Sequence, residues 1–354
     1  MRKFTLKILS LLICVCLLLS GCVISETANE NVSAEKTPKQ SESVNGTTAT
    51  TEDIPVIAEK LIEQVAAPDL VPDDYKKTSD KAGNVVRIEY DTFNYLDGKT
   101  RITKPAYVYL PYSYDENDTE TRYNIIYLMH GWGGTAEGFL GNRGVQTLLD
   151  NMIAKGDIPP MIAVSPTFDA ENKGQDFSLS VRELTVFHNE LDAELIPAVE
   201  GQFHTYAQTS DSAGLAASRE HRAFGGFSLG AVTTWYQFIE HHDSIKYFLP
   251  MSGDCWVLGQ YGGRYKPKET AEYLAKLVEE NGLEADDFLI FGGIGTDDPI
   301  LEQMDFQMQE MLKMTDVFTA ENLIYRIKQG GRHDFVAVEE YIYNALPVFF
   351  ADEG

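Results

Sequence analysis

The sequence predicts a three-layer α/β fold in a single domain, with a mostly parallel central sheet covered by helices on both faces. Short apolar segments typical of buried strands alternate with longer segments of helical periodicity, and this alternation favours a parallel sheet. After about residue 54, the sequence contains no further low-complexity segment and no internal repeat. A chain of 354 residues with 44% hydrophobic residues is long enough for one large core.

The predicted strands and helices follow from periodicity. Two segments alternate apolar and polar residues, as strands at a sheet edge do: residues 85–90 and 104–110. Six short apolar segments predict strands buried on both faces: residues 124–129, 161–165, 222–225, 247–250, 288–292 and 323–328. Apolar residues at i, i+3 and i+4 predict six helices: residues 145–155, 180–199, 231–241, 270–281, 301–314 and 336–350. In such sheets, active groups gather beyond the carboxyl ends of the strands.

The N-terminal residues predict export and lipidation. Basic residues precede an apolar segment of 12 residues, 8–19, which is too short to span a bilayer as a helix and is typical of a signal peptide. Two small residues and Cys22 follow and resemble the bacterial lipobox. We therefore expect residues 1–21 to be a lipoprotein signal peptide and Cys22 to carry the lipid.

The segment after Cys22 predicts a tether. Residues 22–53 are rich in Ser, Thr, Asn and Glu and contain few large apolar side chains, so burial cannot offset the entropy of ordering them. The folded domain is then residues 54–354, held by lipid at the extracellular face of the bacterial cell membrane. Membrane contact is expected through the lipid only.

The net charge argues against several classes of partner, and the sequence motifs argue against metals and cofactors. A net charge of −25 repels nucleic acid and strongly anionic polysaccharides but does not hinder a neutral polysaccharide. The sequence contains no H-E-x-x-H spacing, no P-loop and no complete dinucleotide-binding motif. We therefore predict neither a metal nor a cofactor.

The sequence Gly226-Phe-Ser228-Leu-Gly230 carries the strongest chemical signal. This G-x-S-x-G pattern follows a predicted strand and begins a predicted helix, which is the arrangement of a nucleophile elbow. The glycines are needed because β-carbons on either side of the strained turn would collide with neighbouring backbone. Ser228 is therefore the candidate nucleophile.

A serine nucleophile needs a base and an orienting carboxylate downstream, in the order Ser, acid, His. His333 lies in a glycine-rich loop after the last predicted strand and is the candidate base. Asp297 and Asp298 both follow the strand predicted at residues 288–292, and the pattern alone does not choose between them.

The oxyanion hole is predicted from two loops. One donor is the amide of Leu229, directly after the nucleophile. The other comes from the glycine-rich loop at residues 130–134, which follows an early buried strand, and we assign it to the amide of Trp132.

Together these motifs resemble the esterase-D-like α/β-hydrolases, and within them the bacterial feruloyl esterases of carbohydrate esterase family 1. The likeness covers about residues 74–350. Its specific segments are residues 127–134, 226–230, 248–254, 295–298 and 330–335. In this family the acid is usually the fourth residue of a G-T-x-D turn, which implies Asp298 over Asp297, and the base is the histidine that corresponds to His333.

The resemblance implies a serine carboxylesterase that hydrolyses feruloyl esters on plant cell-wall arabinoxylan. Aromatic residues in or after the predicted active-site loops favour a planar phenolic acyl group, and we expect these four to contact it: Trp132, Phe227, Trp256 and Tyr261. Two alternatives stay open: an acetyl-xylan or general short-chain esterase with the same triad, and a non-catalytic, glycan-binding surface lipoprotein. The preferred acyl group, the attached sugar and the oligomeric state do not follow from the sequence.

Overall fold

A single sheet organises the structure. The computed structural model describes residues 65–140, 144–170 and 176–351, and within them nine strands are present. They are β1 (Val65–Ala66), β2 (Asn84–Phe93), β3 (Arg101–Leu110), β4 (Asn124–Met129), β5 (Met161–Ser165), β6 (Arg222–Phe227), β7 (Tyr247–Met251), β8 (Leu289–Gly295) and β9 (Leu323–Lys328). Their order across the sheet is β1-β9-β8-β7-β6-β4-β5-β3-β2.

Most neighbouring strands run parallel. β2 and β3 form an antiparallel hairpin, and β3 also pairs antiparallel with β5. The other six pairs are parallel, which confirms the predicted sheet type. The carboxyl ends of β4, β6, β7, β8 and β9 therefore meet at one edge of the sheet, where the functional groups are expected.

Helices cover both faces of the sheet. They are α1 (Ala136–Leu140), α2 (Val145–Lys155), α3 (Phe177–Leu184), α4 (Phe187–Glu190), α5 (Ile196–Glu200), α6 (Ser212–Ala217), α7 (Leu229–His241), α8 (Gly262–Tyr265), α9 (Pro267–Glu280), α10 (Leu301–Met311) and α11 (Phe335–Ala345). A π-helical turn spans Leu191–Leu195, and short 3₁₀ helices span Asp73–Lys76 and Arg219–His221.

The core consists of two apolar clusters, one on each face. Alternation along β4 supplies both: Ile125 and Tyr127 face one cluster, and Ile126 and Leu128 face the other. Helices α7, α9 and α10 pack in the first cluster, whereas α2 and α11 pack in the second. This is the predicted three-layer architecture.

One predicted helix is wrong in detail. The segment 180–199 was expected to be continuous, but it is divided into α3, α4, the π-helical turn and α5. The hydroxyl of Thr185 donates to the carbonyl of Arg182 at the end of α3. After this break, the buried carboxylate of Glu190 accepts hydrogen bonds from the Lys104 ammonium and the Tyr90 hydroxyl on the hairpin strands. Glu190 itself lies in helical backbone at the end of α4, so this pairing holds the second part of the divided segment against the hairpin.

The strand that carries the nucleophile is anchored at its opposite end by a buried ion pair. Arg222 begins β6, and its Nε and Nη2 donate to the two carboxylate oxygens of Glu200 at 2.6 and 2.8 Å. Its Nη1 donates to the carbonyl oxygens of Leu215 and Ser244. Since both charges are paired in bidentate geometry, their burial is compensated, and β6 is held firmly below the active-site edge.

The N-terminal predictions fall outside the described residues. This holds for the signal peptide, Cys22, the tether and the first residues of the predicted domain, 54–64. Among the residues that are described, no helix has the length and apolar character needed to cross a bilayer.

Candidate active site

Ser228 lies on the sharp turn between β6 and α7. Its backbone has φ 60° and ψ −116°, in the positive-φ region that side chains other than glycine rarely adopt. The turn is held because the amide of Ser228 donates to the carbonyl of Met251 at 2.9 Å. The following helix α7 begins at Leu229, so its amino end and partial positive charge lie beside the serine.

The glycines around Ser228 are required by close backbone contacts. A β-carbon on Gly226 would collide with the backbone of Gly230, and one on Gly230 would collide with the carbonyl of Met129 at the end of β4. A β-carbon on Gly131 would approach within 2.9 Å of the Ser228 β-carbon. The loop after β4 therefore lies directly against the serine.

His333 and Asp298 form a hydrogen-bonded pair. The Nδ1 of His333 lies 2.9 Å from Oδ2 and 3.1 Å from Oδ1 of Asp298, whose side chain is fully buried. Because a carboxylate accepts, Nδ1 carries the proton and Nε2 is the nitrogen able to accept one. Asp297 lies exposed in the same turn. The structure thus brings His333 to Asp298 and not to Asp297.

The turn that carries Asp298 and the loop that carries His333 are joined by hydrogen bonds. The amide of Thr296 donates to the carbonyl of Lys328, and that of Asp297 donates to the carbonyl of Gly331, both at 2.9 Å. The hydroxyl of Thr296 accepts from the amide of Gly330 at 2.8 Å. Gly295 packs so closely on Gly331 that a β-carbon there would collide with it.

His130 shapes the loop opposite Ser228. Burial lowers the pKa of this histidine, which favours the neutral imidazole. Nδ1 is 2.8 Å from the carbonyl oxygen of Gly131, and Nε2 is 2.7 Å from the hydroxyl of Thr167. A carbonyl only accepts, so Nδ1 donates to Gly131 and Nε2 accepts from Thr167. The tautomer is thereby fixed.

The carbonyl of Gly131 also closes a tight turn around Trp132. The amide of Gly134 donates to Gly131 at 3.0 Å, and Gly133 between them has φ 70°, as the third residue of a type II turn requires. Within the described part of the chain, the amides of Trp132 and Leu229 donate to no protein group. Both lie in segments next to Ser228, where an oxyanion hole needs donors.

A cleft of about 430 Å³, here called the His333 cleft, opens beside these residues. The loop at residues 130–135 forms one wall, and His333, Asp334 and Phe335 form another. Phe227 lines it as well, and its ring centroid lies 4.5 Å from that of His333. Trp132 is 53% exposed at the mouth, with its ring edge-on to Phe177 at 5.5 Å.

The other two predicted aromatic contacts lie in the loop after β7. Trp256 is buried, and its Nε1 donates to Asp254 at 2.7 Å, while Tyr261 packs edge-on against its ring at 5.0 Å. Burial raises the pKa of Asp254 to about 6. Neither aromatic residue lines the His333 cleft. Of the four predicted contacts, Trp132 and Phe227 therefore line the cleft, whereas Trp256 and Tyr261 pack on each other outside it.

The sequence reasoning did not select two aromatic residues of the site. Phe335 lines the His333 cleft and packs against Phe227 at 5.7 Å between ring centroids. It is the last, aromatic residue of the motif at residues 330–335, so its position next to His333 could have indicated that it lies at the site. Phe177 precedes the predicted helix at 180–199, and no pattern in the sequence relates it to Trp132.

Two further groups bear on the chemistry. Cys255 is a buried free thiol, and burial raises its pKa to about 12, so it is a poor nucleophile at neutral pH. Among the described residues, no cluster of three or more His, Cys, Asp or Glu side chains is arranged to hold a metal ion.

The sheet order, the strained serine turn and the histidine–carboxylate pair beyond the strand ends are the features that define the α/β-hydrolase fold. Comparison with known proteins gives the family. The profile of the Esterase family, described as "Putative esterase", matches residues 100–344. The chain belongs to this family and is a carboxylic ester hydrolase.

The similar proteins include xylan-degrading enzymes and a feruloyl esterase structure. Endo-1,4-beta-xylanase Y from Acetivibrio thermocellus is 36% identical over 287 residues, which cover 79% of this chain and 24% of that protein. The endo-1,4-beta-xylanase/feruloyl esterase from Xylanibacter ruminicola is 30% identical over 46% of this chain and 20% of that protein. This chain thus spans a quarter or less of both relatives.

A solved structure covers more of the chain. The feruloyl esterase module from Clostridium thermocellum, a serine-to-alanine mutant complexed with sinapinate, is 34% identical with a TM-score of 0.70. The match covers 81% of this chain and 95% of that one. The similarity therefore extends over nearly the whole module.

Proposed function

We propose that this chain is a serine carboxylesterase that hydrolyses feruloyl esters on plant cell-wall arabinoxylan. The observation that carries the proposal is the pair of His333 and buried Asp298, joined at 2.9 Å. The imidazole of His333 packs at 4.5 Å on Phe227, the residue directly before the serine of the nucleophile elbow. The similarity to a feruloyl esterase module complexed with sinapinate, a phenolic acid, supports the acyl group. The similarity to xylanases supports the polysaccharide.

In the proposed mechanism, the Ser228 hydroxyl attacks the ester carbonyl while Nε2 of His333 takes its proton. The amides of Leu229 and Trp132 stabilise the oxyanion of the tetrahedral intermediate. The bond to the sugar oxygen then breaks, and His333 gives its proton to that oxygen. Water, activated by His333, attacks the feruloyl-enzyme and releases ferulate and the free serine.

Two substrates that share the p-nitrophenol leaving group and differ in the acyl group test the acyl preference. We expect kcat/KM for p-nitrophenyl ferulate to exceed that for p-nitrophenyl acetate by at least about tenfold, because a phenolic ring gains contact area in an aromatic-lined site. Steady-state kinetics with the full chain measure the ratio. A reversed ratio would identify a general short-chain esterase, and failure to react with a fluorophosphonate would identify a non-catalytic protein.

We also propose that the protein is held at the outer face of the bacterial cell membrane by lipid on Cys22. A bacterial host that processes lipoproteins should incorporate labelled palmitate into the wild-type chain and not into Cys22→Ala. The physical reason is that the lipid is attached through the thiol of Cys22, and alanine has no thiol. Equal incorporation into both chains would contradict the anchor.

A further inference from the structure

A second cleft lies beyond the first. It has a volume of about 420 Å³ and is here called the Glu339 cleft. Phe335 lines both clefts and is their common wall. The Glu339 cleft is bounded on its other sides by α2 and by the segment that includes Val71 and Lys76. Neither the catalytic mechanism nor the predicted acyl contacts use this space.

The lining of the Glu339 cleft combines polar groups with apolar walls. Glu339 on α11 is half-buried, and Lys76 and Thr147 add an ammonium and a hydroxyl. Phe335 and Leu148 supply apolar surface. A few convergent polar groups on an apolar wall are typical of a site for a small polar ligand.

The charges of this lining favour a neutral ligand. Glu339 and Lys76 contribute one charge of each sign, and they are near enough for Lys76 to counteract the rise that burial causes in the pKa of Glu339. The chain as a whole carries a net charge of −25, which disfavours an anion. A ligand rich in hydroxyl groups can donate to the carboxylate and accept from the ammonium at the same time.

The position of the Glu339 cleft relates it to the leaving alcohol. His333 must protonate the leaving oxygen, so the alcohol departs on the side of His333. His333 and Phe335 line the His333 cleft, and Phe335 also borders the Glu339 cleft. Phe335 is the lining residue that the two clefts share, so an alcohol larger than one sugar ring that extends past Phe335 would enter the Glu339 cleft.

We propose that the Glu339 cleft is a subsite for the carbohydrate of the ester substrate, a neutral pentose oligosaccharide. In this subsite the carboxylate of Glu339 accepts hydrogen bonds from sugar hydroxyls, and Lys76 and Thr147 donate to sugar oxygens. This assignment rests on the proposed esterase function. The subsite would recognise the carbohydrate part of the ester, at a distance from the bond that is hydrolysed.

Glu339 also has a structural role that the test must separate from binding. Its carboxylate lies against Gly144, immediately before α2, where a negative charge stabilises the amino end of the helix. Loss of that role lowers stability and affects all substrates alike. Loss of a sugar contact affects only substrates that carry the sugar.

The experiment compares two substrates across three variants of the full chain. The substrates are methyl ferulate and a feruloylated arabinoxylo-oligosaccharide. The variants are Glu339→Gln, Lys76→Met and the control Glu321→Gln. Glu321 is an exposed carboxylate just before β9, at the edge of the sheet opposite the catalytic loops. Its substitution by Gln therefore removes the same charge as Glu339→Gln, but far from both clefts.

We expect Glu339→Gln to raise KM for the oligosaccharide ester by about tenfold, because a charged acceptor is lost, and to change kcat/KM for methyl ferulate by less than about twofold. Lys76→Met should raise the same KM severalfold. Its ion pair with Asp73 is 3.8 Å long and exposed, so we expect this variant to fold even if Glu339→Gln does not. Glu321→Gln should match wild type on both substrates.

Equal changes of KM for both substrates in Lys76→Met, or no change for either substrate in both variants, would overturn the subsite and leave the esterase function standing. A wild-type chain that hydrolyses neither substrate would instead contradict the proposed function itself. The two failures are therefore distinguishable.

Discussion

We expect Ser228→Ala to lower kcat for p-nitrophenyl ferulate by about 10⁴-fold or more while the melting temperature changes little. The substitution removes the attacking oxygen but leaves the backbone hydrogen bond from residue 228 to Met251 and the contacts of the flanking glycines in place. Kinetics, labelling with a fluorophosphonate and thermal unfolding measure the three properties. The labelling should be abolished.

Ser252 provides a matched control. It is also a non-glycine residue with positive φ, at 55°, directly after β7, and its buried hydroxyl has no hydrogen-bond partner among the described residues. Ser252→Ala should therefore retain wild-type turnover and labelling. Near-normal hydrolysis by Ser228→Ala, or an equal loss in Ser252→Ala, would refute Ser228 as the nucleophile.

Asp298→Asn should lower kcat by about 10³- to 10⁴-fold, the second largest effect. The asparagine amide can present a donor to Nδ1, which favours the tautomer with the proton on Nε2, and that nitrogen then cannot accept the serine proton. The measurement is kcat for the same ester, together with the melting temperature to exclude unfolding.

Asp297→Asn removes an equal charge from the adjacent position. Asp297 is exposed, and among the described residues its carboxylate accepts one side-chain hydrogen bond, from the Thr296 hydroxyl at 3.4 Å, so we expect turnover within about twofold of wild type. A larger loss in Asp297→Asn than in Asp298→Asn would assign the acid to the other carboxylate.

Much of the fold could be predicted because the buried strands and the glycine motifs impose local constraints. The bounds of β4, β5 and β9 agree with the predicted segments. β4 and β5 are buried along their whole length, as predicted, whereas in β9, next to the edge strand β1, only Leu323 and Tyr325 are buried, so the prediction of burial on both faces is wrong there. The reason given for Gly226 and Gly230, that a side chain would meet backbone, is confirmed by the contacts of the two residues.

The rest depends on contacts between distant segments. Glu190, within the helix predicted at 180–199, pairs with Lys104, 86 residues away in the chain, and helical periodicity does not indicate such a long-range pair. The choice of Asp298 could not follow from position after the strand alone, because the direction of two adjacent side chains depends on the turn. The short strand β1 and the Glu339 cleft were likewise not visible in the pattern.

The hydrogen bonds between the Asp298 turn and the His333 loop have a consequence for how the enzyme begins its cycle. Since Thr296, Gly330 and Gly331 fasten the two segments to each other, the imidazole and its carboxylate are preassembled before any ester arrives. In the proposed mechanism, the entropy of bringing the acid Asp298 and the base His333 together is therefore lost during folding and not each time that an ester binds. Binding then has to order only the incoming ester and the serine hydroxyl.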